Sequence, residues 1–277
     1  MDITKRLADI ASRFSGDFVL AAEHLTTGET IQFGDAHRPM ESASVMKVPI
    51  LLEALRQCQA GELDLFLPQI PESGDFVEGS GLLQYLSGTA SLPLQDVLTL
   101  MIIVSDNIAT NMVLRRVGIP AVNRFSRELG LQTTTVHRKL AFDVPDPLGT
   151  TTAWEMMCLL EKLYRGQVLD AQHTRLALDI LGRQQYQWLL TRKLPYELLD
   201  DNGDAPPRVR VLSKSGSLTG IRNDVGLVLT PWGDYAIALL SQGSHDERFH
   251  IDTEAQVVLP EASRAVFDYF CPGAERS

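Results

Sequence analysis

Cysteine is scarce in this chain, and long apolar runs are absent. The 277 residues include only Cys58, Cys158 and Cys271, an odd set without C-x-x-C spacing, which argues against a disulfide framework or a cysteine-based zinc site. We therefore predict the reduced cysteines of a cytosolic protein. No stretch approaches the roughly 20 apolar residues of a membrane span. The N-terminal segment MDITKRLADIASRF lacks the apolar core of a signal peptide. The chain as written is predicted to be cytoplasmic, or periplasmic or secreted if a signal peptide has been removed.

Basic residues are outnumbered by acidic ones. The chain has 25 Lys and Arg against 35 Asp and Glu, a formal net charge of −10. Because nucleic-acid binding requires a basic patch, we predict no nucleic-acid partner. Histidines with the spacing of a metal site, such as H-E-x-x-H, are also missing, so we predict no metal and no cofactor. The predicted partner is a small-molecule substrate, and the oligomeric state is left open.

Apolar periodicity separates strand-like flanks from a helix-like middle. Residues 2–14 predict an amphipathic helix, and the runs FVLAAEHL and ETIQFG around Thr26-Thr27-Gly28 predict a β-hairpin. Helical patterns dominate from about residue 44 to 200, and three strand patterns follow. The last helical pattern, 252–270, contains Pro260, which we expect to kink or restart the helix.

These patterns predict an α+β fold with an α/β sandwich and an all-helical lobe. Residues 1–36 and 206–277 are predicted to form a sheet lobe, with five antiparallel strands and both terminal helices on one face. Residues 37–205 are predicted to form the helical lobe. An active site is expected at the junction of the two lobes.

The first motif that can carry chemistry is Ser44-Val45-Met46-Lys47. On a helix, side chains at i and i+3 share a face, so the Lys47 amine can approach the Ser44 hydroxyl. A neighbouring amine activates a serine nucleophile by taking its proton, provided that burial or nearby cations lower the lysine pKa. The competing interpretation is a solvated helix face, on which this spacing is common.

A second motif, Ser105-Asp106-Asn107, lies between two apolar runs. Its alternative interpretation is a helix N-cap formed by Ser105 or Asp106. Functionally, Ser105 can relay a proton to a leaving group, and Asn107 can donate a hydrogen bond to a substrate carbonyl.

The third motif, Lys214-Ser215-Gly216, ends a strand-like segment. Gly216 is expected to allow close approach of a substrate backbone. The positive charge of Lys214 is expected to attract anionic substrates and to lower the pKa of Lys47. The alternative is an ordinary strand-edge lysine of the kind that protects sheets from aggregation.

Together and in this order, the three motifs resemble the S-x-x-K, S-D-N and K-T-G signature of class A β-lactamases and penicillin-binding proteins, with Ser215 in place of the usual threonine. The resemblance extends over almost the whole chain and implies that fold. It further implies a catalytic set of Ser44, Lys47, Ser105 and Lys214, an oxyanion hole from the backbone N–H groups of Ser44 and Ser217, and substrate binding by Asn107, Ser215, Gly216 and Arg222.

The chain departs from the family pattern between Leu131 and Gly149. This stretch contains no glutamate, whereas class A β-lactamases have one there that activates the water for deacylation. Leu140 occupies the expected position. Asp143, Asp146 and His137 are possible substitutes, although the aspartates also fit a proline-fixed surface turn.

We therefore expect a serine-dependent acyl-enzyme hydrolase that opens β-lactams and releases them slowly. One alternative is a penicillin-binding DD-peptidase or esterase without efficient lactamase turnover. A weaker alternative is a non-catalytic ligand-binding or sensor domain, against which the three complete motifs argue.

Overall fold

One antiparallel sheet brings together strands from both ends of the chain. The computed structural model describes residues 2–142, 144, 146–199 and 206–274. The strands are β1 (Asp17–His24), β2 (Thr30–Phe33), β3 (Met40–Glu41), β4 (Pro68–Gln69), β5 (Leu92–Pro93), β6 (Thr135–Val136), β7 (Gly149–Thr151), β8 (Arg210–Leu218), β9 (Ile221–Leu229) and β10 (Tyr235–Gln242). The main sheet has the order β2-β1-β10-β9-β8, with every neighbouring pair antiparallel. The predicted five-stranded antiparallel sheet is confirmed.

The helices lie at the two ends of the chain and in its middle. They are α1 (Ile3–Ala11), α2 (Lys47–Gln59), α3 (Leu94–Ile103), α4 (Asn107–Val117), α5 (Ile119–Glu128), α6 (Ala153–Tyr164), α7 (Ala171–Gly182), α8 (Tyr196–Leu199) and α9 (Glu254–Phe270). Short 3-10 helices span Ala43–Met46, Ser73–Asp75 and Leu83–Tyr85. The first of these runs directly into α2.

Apolar cores cover both faces of the main sheet. Alternate residues of a strand point to opposite faces, and β1 follows this rule. Phe18 and Leu20 belong to a core that includes residues of α1 and α9, whereas Val19 and Ala21 belong to a core that includes residues of α2 to α7. The two terminal helices therefore share one face of the sheet, as predicted, and α6 and α7 pack against the other face.

The segment predicted to be all-helical also contains short strands. Strands β3, β7 and β6 form a three-stranded sheet, and β4 pairs with β5. Strands of two or three residues are too short to show the alternation by which a strand is predicted. Because β3 ends at Glu41, the small sheet fixes the chain immediately before Ser44.

The apolar core does not separate into the two predicted lobes. Helices α6 and α7 fall in the predicted helical lobe, yet their buried residues share one core with a face of the main sheet. The lobe boundaries at residues 36 and 205 stay a prediction, and residue 205 lies outside the described ranges.

Candidate active site

Ser44 lies in the 3-10 helix that precedes α2. The flanking residue Ala43 has φ 47°, in the left-handed region that costs a non-glycine residue free energy. The surroundings hold this conformation in place. The Ser42 N–H donates to the carbonyl of Gly149, and the side-chain amide of Asn223 donates to the carbonyls of Glu41 (3.0 Å) and Ser42 (3.2 Å).

Lys47 is fully buried one turn beyond Ser44. Its Nζ donates to Ser105 O at 2.8 Å, to Ser105 Oγ at 3.0 Å and to Asn107 Oδ1 at 2.9 Å. Burial and, secondly, the charge of Lys214 lower its pKa well below the ordinary value, with Asp106 opposing them. Both effects favour the uncharged amine, which is the form that can accept a proton. Among the described residues, its hydrogen bonds go to the second motif and none goes to Ser44.

The second motif occupies the break between α3 and α4. Asp106 caps α4, because its Oδ1 accepts from Ala109 N at 2.9 Å, and its Oδ2 accepts from the N–H groups of Leu82 and Leu83. Ser105, with φ 52°, directs its hydroxyl to Lys47. The N-cap interpretation therefore holds for Asp106, and the proton-relay interpretation concerns the adjacent residue, Ser105.

Lys214 is on β8, the edge strand of the main sheet, and it too is fully buried. Its amine donates to Ser215 O at 2.6 Å. Burial lowers its pKa to about 7, against the opposing charge of Asp224. A buried side chain does not shield a sheet edge from solvent, so the edge-protection alternative does not hold. On the neighbouring strand, burial raises the pKa of Asp224 to about 7.

The register of β8 and β9 gives the direction of the Ser217 N–H. Ser217 pairs with Arg222 across the ladder. The Arg222 N–H donates to Ser241 Oγ, and the Arg222 carbonyl accepts from the same hydroxyl, so both groups face β10. Because antiparallel pairs alternate between bonded and non-bonded, Ser217 directs its N–H and carbonyl away from β9. Strand β8 also packs against the 3-10 helix that carries Ser44.

Gly216 permits that approach. We expected it to admit a substrate backbone, but its open face is occupied by the protein itself. A β-carbon on Gly216 would lie 2.8 Å from Ser44 N. The third motif therefore packs directly on the 3-10 helix that carries the candidate nucleophile.

Arg222 has most of its donors engaged within the protein. Its guanidinium donates to the carbonyls of Leu218 and Ile221, each at 2.7 Å, and to that of Arg248. It also lies 4.7 Å from the ring centroid of Phe249. Binding of a substrate carboxylate by Arg222 stays a prediction. In the structure, the Arg222 guanidinium already bonds to carbonyls of the β8–β9 turn.

Two cavities meet at Ser44, and Ser217 lines both. The smaller, of about 180 Å³, is also lined by Ser105, Ser215 and Arg222. Tyr186 and Trp188, with ring centroids 4.7 Å apart, form its outer wall. The larger, of about 390 Å³, is also lined by Asn107, Leu140 and Phe142. The side-chain amide of Asn107 donates to Glu78 O at 3.2 Å.

The segment without glutamate contributes an apolar wall. Leu140 is 3% exposed, and Asn111 holds its backbone by accepting from the Leu140 N–H at 2.8 Å and donating to its carbonyl at 3.0 Å. His137 is exposed and bonds to Thr150 Oγ1 at 2.8 Å. Asp146 is exposed. Neither residue is among the described residues lining the two cavities, and Asp143 lies outside the described ranges.

Asn111, Asn223 and Asp224 were not assigned roles by the sequence. Asn223 and Asp224 stand in a segment that resembles the family, but a sequence motif does not show which backbone groups an amide will bind. Across the described ranges we find no cluster of three or more His, Cys, Asp or Glu side chains suited to a metal. Over the same ranges, no helix has the length and hydropathy of a membrane span.

Comparison with known proteins gives one family and one fold. The model of the beta-lactamase enzyme family matches residues 2–270. A beta-lactamase from Sphaerobacter thermophilus is 27% identical with a TM-score of 0.86, and the alignment covers 98% of each chain. PBP-A is 24% identical with a TM-score of 0.83, covering 98% of this chain and 96% of that one. A class A beta-lactamase from Mycobacterium abscessus is 21% identical with a TM-score of 0.82, covering 97% and 99%. No curated protein sequence matches. The predicted family resemblance and fold are confirmed.

Proposed function

The chain belongs to the beta-lactamase enzyme family, and from this premise we propose that it forms an acyl-enzyme on Ser44 with β-lactams and related esters and amides, and releases the acyl group slowly. The observation that carries the proposal is the fully buried amine of Lys47, which lies 3.0 Å from the Ser105 hydroxyl and one turn from Ser44, and whose pKa is lowered by that burial.

Acylation uses the residues of the three motifs. The Lys47 amine takes the Ser44 hydroxyl proton as Oγ bonds to the substrate carbonyl carbon. The negative charge that develops on the carbonyl oxygen is stabilised by the N–H groups of Ser44 and Ser217. When the carbon–nitrogen or carbon–oxygen bond breaks, the leaving group receives the proton from Lys47 through the hydroxyl of Ser105.

Lys214 and Ser215 are proposed to bind a substrate carboxylate in the smaller cavity. Ser215 lines that cavity, and the charge of Lys214 lies beneath it. Asn107 is proposed to hold a carbonyl of the acyl group from the larger cavity, which it lines. These roles follow the family resemblance residue by residue.

Slow deacylation follows from the apolar wall at Leu140. Hydrolysis of the acyl-enzyme needs a water molecule and a proton acceptor on the side opposite the leaving group. Leu140 offers no acceptor there.

The second candidate function is a penicillin-binding DD-peptidase or esterase with little lactamase turnover. Leu140 favours it, because a physiological substrate with its own geometry can leave room for water where a lactam does not. A non-catalytic sensor would have no use for a desolvated lysine bonded to the Ser105 hydroxyl.

Pre-steady-state kinetics with a chromogenic lactam test the proposal. We expect a burst of about one equivalent of product and then a slow steady rate, since loss of general-base help costs about 10²–10⁴-fold. Intact-protein mass spectrometry should show the added mass of the drug. Ser44→Ala should remove both signals, whereas Ser87→Ala, on an exposed serine, should keep them. Linear turnover without a burst would contradict slow deacylation, and labelling of Ser44→Ala would contradict the nucleophile.

A further inference from the structure

The larger of the two cavities at Ser44 has an apolar lining that the proposed reaction does not explain. Five side chains from separate parts of the chain converge there: Leu140, Phe142, Leu148, Leu218 and Phe249. Its volume of about 390 Å³ falls within the range of about 300–1,000 Å³ typical of small-molecule sites. Phe142 and Phe249 are 52% and 69% exposed, so both rings are accessible to a substrate.

The position of Ser105 assigns the two cavities to the two halves of a substrate. The group that returns a proton to the leaving group must lie beside it. Ser105 lines the smaller cavity, together with Ser215 and Arg222. The leaving group therefore belongs in the smaller cavity, and the acyl group extends into the larger one.

From this division we infer that the enzyme prefers acyl groups with an extended apolar chain, which binds between Leu140, Phe142 and Phe249. The inference rests on the proposed function, because it names the substrate class of that same site. Leu140 then contacts the acyl chain of the substrate, at the position where the family has a catalytic carboxylate.

The polar residues of the larger cavity include Ser44, Asn107 and Ser217, which the proposed reaction uses, and Ser80 and Thr219, which it does not use. The other side chains of the lining are the five apolar ones. The Asn107 Oδ1 accepts from Lys47, and one of its two amide N–H groups donates to the carbonyl of Glu78, which leaves one N–H group for the acyl carbonyl proposed above. An acyl chain of methylene groups needs no hydrogen-bond partner.

A series of p-nitrophenyl esters from acetate to octanoate tests the inference on the full chain. In each, the Ser44 oxygen bonds to the acyl carbon, the aryl ester bond breaks, p-nitrophenolate leaves, and the Ser44 proton passes to Lys47. The rate of the p-nitrophenolate burst, divided by ester concentration, measures acylation. Burial of one methylene is worth about 0.8 kcal/mol, so we expect this rate to rise up to about fourfold per methylene until the cavity is filled.

Substitutions at Phe142 test whether this side chain causes the preference for longer acyl chains. Phe142→Ala should lower the hexanoate-to-acetate ratio about tenfold, the scale on which apolar pockets discriminate. Phe142→Leu should retain most of the ratio. The control is Phe66→Ala, on an aromatic residue that is 74% exposed and is not among the residues lining either cavity. It should leave the ratio unchanged.

The possible failures are distinguishable. Ser44-dependent release of p-nitrophenolate with a flat or falling chain-length profile would overturn the inference and leave the proposed function in place. An unchanged ratio in Phe142→Ala would also overturn it. Absence of any Ser44-dependent acylation by the esters and the lactam would overturn the proposed function, and the inference with it.

Discussion

Gly216 on the edge strand lies against the backbone of Ser44 in the 3-10 helix. A β-carbon at Gly216 would stand 2.8 Å from Ser44 N, 3.1 Å from the β-carbon of Ala43 and 3.1 Å from Val45 N. Two of these three contacts are with backbone nitrogens that a side-chain rotation cannot move. The glycine of the third motif therefore sets the distance between strand β8 and the nucleophile.

Gly216→Ala should push the Ser44 N–H away from that of Ser217 and open the oxyanion hole. Loss of one oxyanion-hole donor costs about 10²–10³-fold in rate, and we expect acylation to fall by that order. The burst rate with a chromogenic lactam measures it, and circular dichroism checks that the fold is retained. Gly74→Ala is the control, because a β-carbon there meets nothing within 4 Å. Acylation by Gly216→Ala at the wild-type rate would contradict this role.

Asn223 is a second positioning residue behind Ser44. Its amide donates to Glu41 O and Ser42 O, and its Oδ1 accepts from Ser241 N at 2.9 Å. The amide thereby ties the chain just before Ala43 to the middle of the sheet. Because the left-handed backbone of Ala43 has to be held by its surroundings, these bonds support the geometry of the nucleophile.

Asn223→Ala should slow acylation and lower thermal stability. It leaves buried backbone groups without partners, at about 1–3 kcal/mol each. Gln57→Ala is the control, because its buried amide donates to Glu53 Oε1 at 2.8 Å and to Val117 O at 3.3 Å near the C-terminal end of α2, away from the chain that precedes Ser44. Both variants should have a lower Tm, but only Asn223→Ala should have a lower burst rate. Equal burst rates in the two variants would assign Asn223 a structural role alone.

Much of the fold could be predicted from the sequence because its signals are local. The hairpin around Thr26-Thr27-Gly28 and the three late strands alternate in polarity or end at turn residues, and they form β1, β2 and β8–β10. Pro260 shows where a local rule fails. Helix α9 extends from Glu254 to Phe270 through Pro260, so the helix does not restart there, and the kink that we expected as the other outcome stays a prediction. Burial of apolar residues along this helix outweighs the local cost of proline.

The site was predictable as a set of residues but not as a set of contacts. The three motifs predict Ser44, Lys47, Ser105 and Lys214 from short patterns in a fixed order, and their catalytic roles stay a prediction. The hydrogen bonds of Lys47, the engaged donors of Arg222 and the clasp of Asn223 join residues far apart in sequence. Their geometry depends on strand register and helix packing, which no local pattern specifies.

The charge of Lys214 should give the enzyme a substrate-dependent pH profile. Its pKa of about 7 means that the ammonium form prevails below pH 7 and is lost as the pH rises through that value. Acylation by an anionic penicillin, relative to that by a neutral p-nitrophenyl ester, should therefore decrease above pH 7. Both substrates share the loss of activity at low pH that follows protonation of Lys47.

The measurement is the burst rate of each substrate between pH 5.5 and 9, expressed as a ratio so that effects on the common chemistry cancel. Lys214→Gln should make the ratio nearly independent of pH and lower the rate with the penicillin. Parallel profiles for the two substrates in the wild-type enzyme would show that Lys214 does not bind the substrate carboxylate.

Leu140→Glu should convert slow release into turnover. The side chain at position 140 borders the larger cavity together with Ser44 and Asn107, and Asn111 holds its backbone on both sides. A carboxylate there can accept a proton from water attacking the acyl carbon on the side opposite the leaving group. General-base help is worth about 10²–10⁴-fold, which is the largest gain in deacylation that we expect.

The control for this change is Leu140→Gln. Glutamine is polar and has about the same size as glutamate, but its amide is not a base. Leu140→Glu should shorten the lifetime of the acyl-enzyme seen by mass spectrometry and raise the steady rate, whereas Leu140→Gln should keep both near the values of the wild type. Burial of the new carboxyl raises its pKa, so the gain should grow as the pH rises and the group ionises. Equal lifetimes in the two variants across this pH range would show that water, and not the missing base, limits deacylation.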